Sequence, residues 1–367
     1  MNKYWFLGIL FILNSSACSS SEMNENIPDI MIVVTPSELT LGCGKETVEI
    51  EVDASAEFGV ISDKEWCTCF PKGGLKGKNK LSITVARNSQ ETERSAELTL
   101  DAGTYKKTII VKQEKMSGIT IPDGYVLVWQ DEFETSRDIN GRAAMPNMDE
   151  WWYETAAPGW VNNELQRYVA GVLDNDTTAY ISDGTLKIIA KKKGNEVISA
   201  RLNTIKSWTY GYFEARLRLP KGKGTWPAYW MMPKNFKTWP DDGEIDIMEE
   251  VGYHPNYVSS SIHCKAYYHS IGTQKTKERY LEGAESDFHI YALEWTADFI
   301  KTYVDGELLF SFENDKTGNK STWPFNTPFG LKLNLAWGGD WGGAQGVDVS
   351  ALPATYEIDY VRVFQKK

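Results

Sequence analysis

Hydrophobic and polar positions alternate in short runs along almost the whole chain, the period expected of half-buried strands rather than helices. Tyr212-Phe213-Glu214-Ala215-Arg216-Leu217-Arg218-Leu219 shows the alternation most plainly. Between residues 30 and 114 the runs are Met31–Val34, Thr47–Val52, Leu81–Ala86, Glu97–Leu100 and Thr108–Lys112. Turn signals separate them at Gly42-Cys43-Gly44, Gly73-Gly74 and Asp101-Ala102-Gly103. From residue 122 onward the runs are Leu127–Gln130, Leu186–Ala190, Tyr212–Leu219, Ile290–Trp295, Ile300–Val304, Leu331–Leu335 and Tyr356–Phe364. Val304-Asp305-Gly306 marks a hairpin turn, and no long amphipathic helix pattern occurs. The pattern predicts an all-β chain in two parts joined by a junction at 115–121. Residues 30–114 form a small immunoglobulin-like β-sandwich around Trp66, and 122–367 a two-sheet sandwich large enough to bend one sheet into a cleft.

Composition sharpens this picture. The 367 residues are 42% hydrophobic, enough for sizeable cores, and include 14 Trp and 18 Tyr against only 4 His. Indole surface in that quantity suits a large β core or a platform for flat apolar ligand faces. A net charge of −11 with no Lys/Arg cluster argues against nucleic acid as a partner. Sulfated polysaccharides are disfavoured for the same reason, unless a local basic groove overrides the net charge. The four histidines form no ligand-spaced set, which disfavours a metal-dependent hydrolase.

The first 18 residues read as a signal peptide: Lys3, an apolar run from Trp5 to Leu13, then small residues up to Cys18. The run is too short to span a bilayer, which takes about 20 residues. Its ending resembles a bacterial lipoprotein signal, with Cys18 lipidated and 19–29 a flexible tether, although Ser15 stands where an aliphatic residue is usual. The implied location is outside the cytoplasm, on the outer membrane through a lipid anchor only. The alternative is an ordinary secretory signal cut near Ala17. Cys43 bonding to Cys67 or Cys69 competes with free thiols, and Cys67-Thr68-Cys69 has no metal-site spacing.

The segment Gly243-Glu244-Ile245-Asp246-Ile247-Met248-Glu249-Glu250 carries the chemistry. On a helix, Glu244 and Glu249 would not share a face. On a strand, Ile245 and Ile247 point one way and Glu244, Asp246 and Met248 the other, with Glu249 on the wrong side. One extra residue near Met248, a β-bulge, brings Glu249 back, and bulges are over-represented beside active sites. The outer carboxylates would then lie about 13 Å apart at the backbone. Arms leaning inward can narrow this to the roughly 5–5.5 Å of a retaining glycosidase pair.

This strand and its surroundings resemble the laminarinase-like branch of glycoside hydrolase family 16. The supporting blocks are Asn162-Asn163-Glu164-Leu165-Gln166, Ser199–Thr204, Gly224–Met231, Glu244–Glu249, His263, Phe288–Trp295, Asn334–Gly339 and Ile358–Val363. The resemblance implies a β-jelly roll and retaining endo-hydrolysis of a β-glycan without a catalytic cofactor. It assigns Glu244 as nucleophile, Asp246 as assisting carboxylate, Glu249 as acid/base and His263 as a support near the acid/base. Trp226 and Trp230 would flank the cleaved sugar, Asn163 and Arg201 would bind donor-side hydroxyls, and Trp337 would sit on a rim loop. Asp359 matches the ligand of a structural calcium. The N-terminal part is similar to BACON modules, on a Pro-Ser-x-x-Leu opening, the central Trp66-Cys67 and an Ile-x-Val-x-Gln close.

Three departures bear on the sugar: Ser259-Ser260-Ser261 before His263 where a Gly-Thr pair is common, the Lys265–Tyr280 loop with Tyr267, Tyr268 and His269, and Arg167 in place of Tyr. The expected function is an endo-β-1,3- or mixed β-1,3/1,4-glucanase acting as a monomer. The rivals are an endo-β-galactosidase on galactan, agar-like or mucin-type chains, a transglycosylase-like remodeller, and a surface glycan-binding lipoprotein.

Overall fold

The structure is a computed structural model, describing residues 30–43, 46–86, 88, 92–115, 121–134 and 144–367. The expected signal peptide, Cys18 and the tether lie outside the described residues. The chain divides into two compact units with the boundary between Met116 and Ser117, inside the expected junction.

In the first unit, alternation dictates two facing sheets. One carries the strands Ile32–Thr35, Glu46–Ala54, Gly77–Val85 and Cys67–Phe70; the other Glu38–Leu41, Lys106–Gln113, Arg94–Asp101, Phe58–Ser62 and Gly73–Gly74. Their inward side chains, among them Val52, Leu81, Ile83, Leu98, Leu100, Ile109 and Val111, form one core. Each such side chain contributes about 1.5–3 kcal/mol on burial. One expectation is corrected here. Gly73-Gly74 is not a plain turn but a short strand against Phe58-Gly59, where Gly73 has φ 158°. Of the two readings open for the cysteines, Cys67 and Cys69 follow the thiol one.

The second unit packs two sheets face to face. The larger has ten strands, centred on Gly211–Arg218 and the long Ala354–Lys366. The smaller has seven, in the order Trp151–Tyr153, Arg201–Thr204, Phe329–Trp337, Thr225–Pro233, Glu244–Glu249, Tyr257–His263 and Lys275–Tyr280. Phe213, Leu217, Leu293, Ile358 and Val361 from one sheet meet Tyr229, Met231, Ile245, Ile262, Leu331 and Leu333 from the other. All neighbours in the seven-stranded sheet are antiparallel. The Val304–Glu307 hairpin turns as expected, with Asp305 and Gly306 both at positive φ.

Candidate active site

The outward face of the seven-stranded sheet holds charged side chains that are nonetheless buried: Arg201 is 7% exposed, Asp246 3% and His263 6%. Polar groups that face away from the core and still exclude water must line a recess. The catalytic strand sits near its middle. It pairs with one neighbour as Ala228↔Glu249, Tyr229↔Met248 and Trp230↔Asp246, leaving Ile247 as the extra residue of a bulge. Ile245, Ile247 and Met248 all go to the core, and Glu244, Asp246 and Glu249 all go to the recess. Met248 therefore leaves the carboxylate face, the price of re-aiming Glu249.

A hydrogen-bond chain holds the bulge. Ser260 Oγ donates to the Ile247 carbonyl (2.7 Å), and Thr302 Oγ1, on the opposite sheet, donates to Ser260 Oγ (2.8 Å). The carbonyl freed by the bulge is thus satisfied inside the core.

On the recess side, His263 stands across from Glu244 and its Nε2 lies 3.3 Å from Asp246 Oδ2. His263 is thus placed beside the expected nucleophile and assisting carboxylate, while the residue paired across from Glu249 is Ser259. Glu249 accepts from Trp226 Nε1 at 3.0 Å. Burial, joined for Glu244 and Glu249 by the charge of Asp246 between them, pushes the carboxyls of Glu244, Asp246 and Glu249 up to about 8. Arg201 pulls Glu244 back toward its ionised form, whereas Glu164 pushes Glu249 further toward its protonated form.

Trp230 donates its indole N–H to Asn334 Oδ1 (2.7 Å), and the Arg201 guanidinium lies 4.7 Å from its ring and 5.1 Å from that of Trp160. Arg201 Nε reaches Glu154 Oε2 at 2.9 Å. Asn163 lies on an exposed loop and donates to Asp340 (2.9 Å). Trp337 is corrected. It ends a strand, is 1% exposed, gives its backbone N–H to Gln166 and packs so tightly that a Cβ on Gly224 would lie 3.0 Å from its ring. Its indole offers no face to a sugar. The sharp turn after it is real, with Gly338 and Gly339 at φ 68° and 81°.

Of the sequence departures, Arg167 pairs with Glu196 (2.9 Å) on the surface. The loop after His263 sends Tyr267 toward the core, while Trp239 stacks near Tyr268, His269 and His263, with centroids 5.1–5.8 Å apart. The recess also contains residues that sequence reading passed over: Glu154, Trp160, Trp239, Lys332 and Asn334. Lys332 was detectable, since a lysine between two core leucines of a central strand must face outward.

Among the described residues, Glu244, Asp246 and His263 make the single grouping of three potential metal-binding side chains. Asp359 is not part of it: its Oδ2 accepts from Arg216 Nη1 at 2.6 Å. A guanidinium thus stands beside the Asp359 carboxylate, on the side chain expected to hold a cation.

Two sandwiched sheets with three convergent carboxylates in an indole-lined recess define a glycoside hydrolase. The chain belongs to glycosyl hydrolases family 16, whose family model matches residues 166–362; residues 55–114 match the BACON family, described as a putative binding domain, N-terminal. A beta-glucanase of Rhodothermus marinus is 44% identical over 252 residues, covering 65% of this chain and 85% of that protein. A keratan-sulfate endo-1,4-beta-galactosidase of Sphingobacterium multivorum is 31% identical over 252 residues, covering 66% of this chain and 55% of that protein. SCLam, a non-specific endo-beta-1,3(4)-glucanase from family GH16, was solved as a mutant with 1,3-beta-D-cellobiosyl-glucose at its active site. It is 42% identical with a TM-score of 0.62, over 68% of this chain and 97% of SCLam.

Proposed function

We propose that the chain is a retaining endo-β-glucanase acting on β-1,3 or mixed β-1,3/1,4 glucan. The observation that carries the mechanism is the bulged strand, which turns Glu244, Asp246 and Glu249 onto one face of the sheet. Glu244, nearer the positive charge of Arg201, attacks the anomeric carbon and forms a glycosyl ester. Glu249, kept protonated by burial and by Asp246, gives its proton to the leaving oxygen, then takes one from water as that water cleaves the ester. Asp246, bridged to His263, sits between them and keeps their protonation states apart. Trp226 and Trp230 are proposed to stack on the sugars at the point of cleavage, with Arg201 and Asn163 on the donor side. Trp226 also fixes the Glu249 carboxyl. At Asp359, Arg216 is proposed to stand in place of a calcium ion. Lipidation of Cys18 after export, and a monomeric state, belong to the same proposal; labelled-lipid incorporation and light scattering test them.

Product analysis on laminarin, barley mixed-linkage glucan, agarose and mucin tests the substrate. Short gluco-oligosaccharides from the first two are expected. Release only from agarose or mucin would keep the chemistry and replace glucose by galactose, and silence on all four would favour a glycan-binding role. Glu244→Gln should lower kcat by at least about 1,000-fold with oligosaccharide binding kept. Glu249→Ala should regain turnover on aryl glycosides with activated leaving groups, and absence of that rescue would remove its assignment as the acid.

A further inference from the structure

The register across the seven-stranded sheet sets a row of recess-facing side chains: Asp246, Trp230, Lys332, Asn203 and Trp152. Strands lie about 4.8 Å apart, so Lys332 stands about 10 Å from the catalytic strand and Trp152 about 19 Å. Sugar units of an extended glycan repeat at nearly the spacing of strands, which puts Lys332 under the second sugar on the Arg201 side of the cleavage point.

The Lys332 ammonium is largely buried between two indoles, 5.3 Å from Trp230 and 5.8 Å from Trp152. It donates to Glu154 Oε2 (2.9 Å) and to Asn203 Oδ1. The same Glu154 oxygen also holds Arg201. One carboxylate therefore serves two cations, and the next nearest, Glu244, is committed to the reaction. Of three ammonium N–H groups, two are used and one remains. Burial and the neighbouring Arg201 lower the Lys332 ammonium to about 8, so the charge stands undercompensated in the free protein. A sugar hydroxyl could accept the third N–H but would leave that charge desolvated.

We infer that Lys332, with Arg201 and Glu154, forms a subsite for an anionic substituent, a carboxylate or a sulfate ester, on the second donor-side sugar. This rests on the glycanase reading above and adds to it a preference for acidic glycans. It is the kind of local basic patch that can override the net charge of −11.

The test compares kcat/KM on laminarin, on laminarin partly oxidised to uronate and on partly sulfated laminarin, and locates the charged residue in the products by mass spectrometry. The wild-type protein should prefer at least one charged polymer about tenfold and leave the charge on the second sugar from the new reducing end. Whether the uronate or the sulfate polymer carries the gain identifies the group. Lys332→Met should bring the ratio to one or below, and Lys332→Arg should restore most of it. A charged-to-neutral ratio of one or less in the wild type, or one unchanged by Lys332→Met, overturns the inference. Neutral laminarin is the separate gauge of the glucanase reading; if it is not cut, the same ratio is taken on whichever polymer of the panel is cut.

Discussion

Glu244, Asp246 and Glu249 are held near neutrality by burial, and this has a measurable effect on stability. In the unfolded chain these carboxyls ionise near pH 4, and in the folded protein near pH 8. Across that window the folded state binds more protons than the unfolded one. Its advantage is full below about pH 4 and is lost as pH rises through about 8. Glu244→Gln removes one of the three, so its melting temperature should exceed that of the wild type by about 2–4 °C at pH 8, with the gap closing by pH 5. Scanning fluorimetry at the two pH values checks this, and a gap that widens toward acid would contradict the burial argument. At this scale the carboxylates were legible because three acids on one apolar-backed strand demand a reason. Glu154 was not, since nothing local tells that its carboxylate meets Arg201 and Lys332 from other strands.

The bulge was legible by counting residues, but the group that satisfies it was not. Ser260 reads as one of three serines replacing a Gly-Thr pattern, yet it alone points inward and bonds the Ile247 carbonyl and Thr302. Ser260→Ala should cost about 1–3 kcal/mol, by leaving a buried carbonyl unpaired. Because Glu249 follows the bulge, kcat should fall more than KM changes; Ser261→Ala, whose hydroxyl donates to Thr276, serves as the comparison. Equal stability of the Ser260 variant would mean that the bulge does not depend on this chain. Strands were missed where the alternation is hidden. Arg201–Thr204 is buried throughout although three of its four side chains are polar, Thr225–Pro233 is interrupted by prolines, and the edge strand Lys275–Tyr280 is almost wholly exposed.

Among the described residues the two compact units share no core: one cluster fills the first, and a large cluster with a small one around Tyr212, Ala292 and Phe364 fills the second. Calorimetry should therefore resolve two unfolding transitions, with the larger enthalpy for residues 117–367. Neither transition should move with EDTA, because Arg216 neutralises Asp359. A chelator-induced drop of more than a few degrees would mean that an ion is bound after all. The two-part organisation and the all-β class were legible because alternation and turn residues act locally. Which face of the larger unit is recessed was not, since the inward bend depends on how the two sheets pack.

The hydrogen bond from Trp226 to Glu249 attaches a chromophore to the acid of the proposed mechanism. Each time that carboxyl gains or loses its proton, the charge at the edge of one indole changes. The protein thus carries an optical probe of its own turnover. A small ultraviolet difference signal should follow the protonation of Glu249 and disappear in Trp226→Phe, so that the occupancy of a single proton could be read without a dye, a label or a substrate.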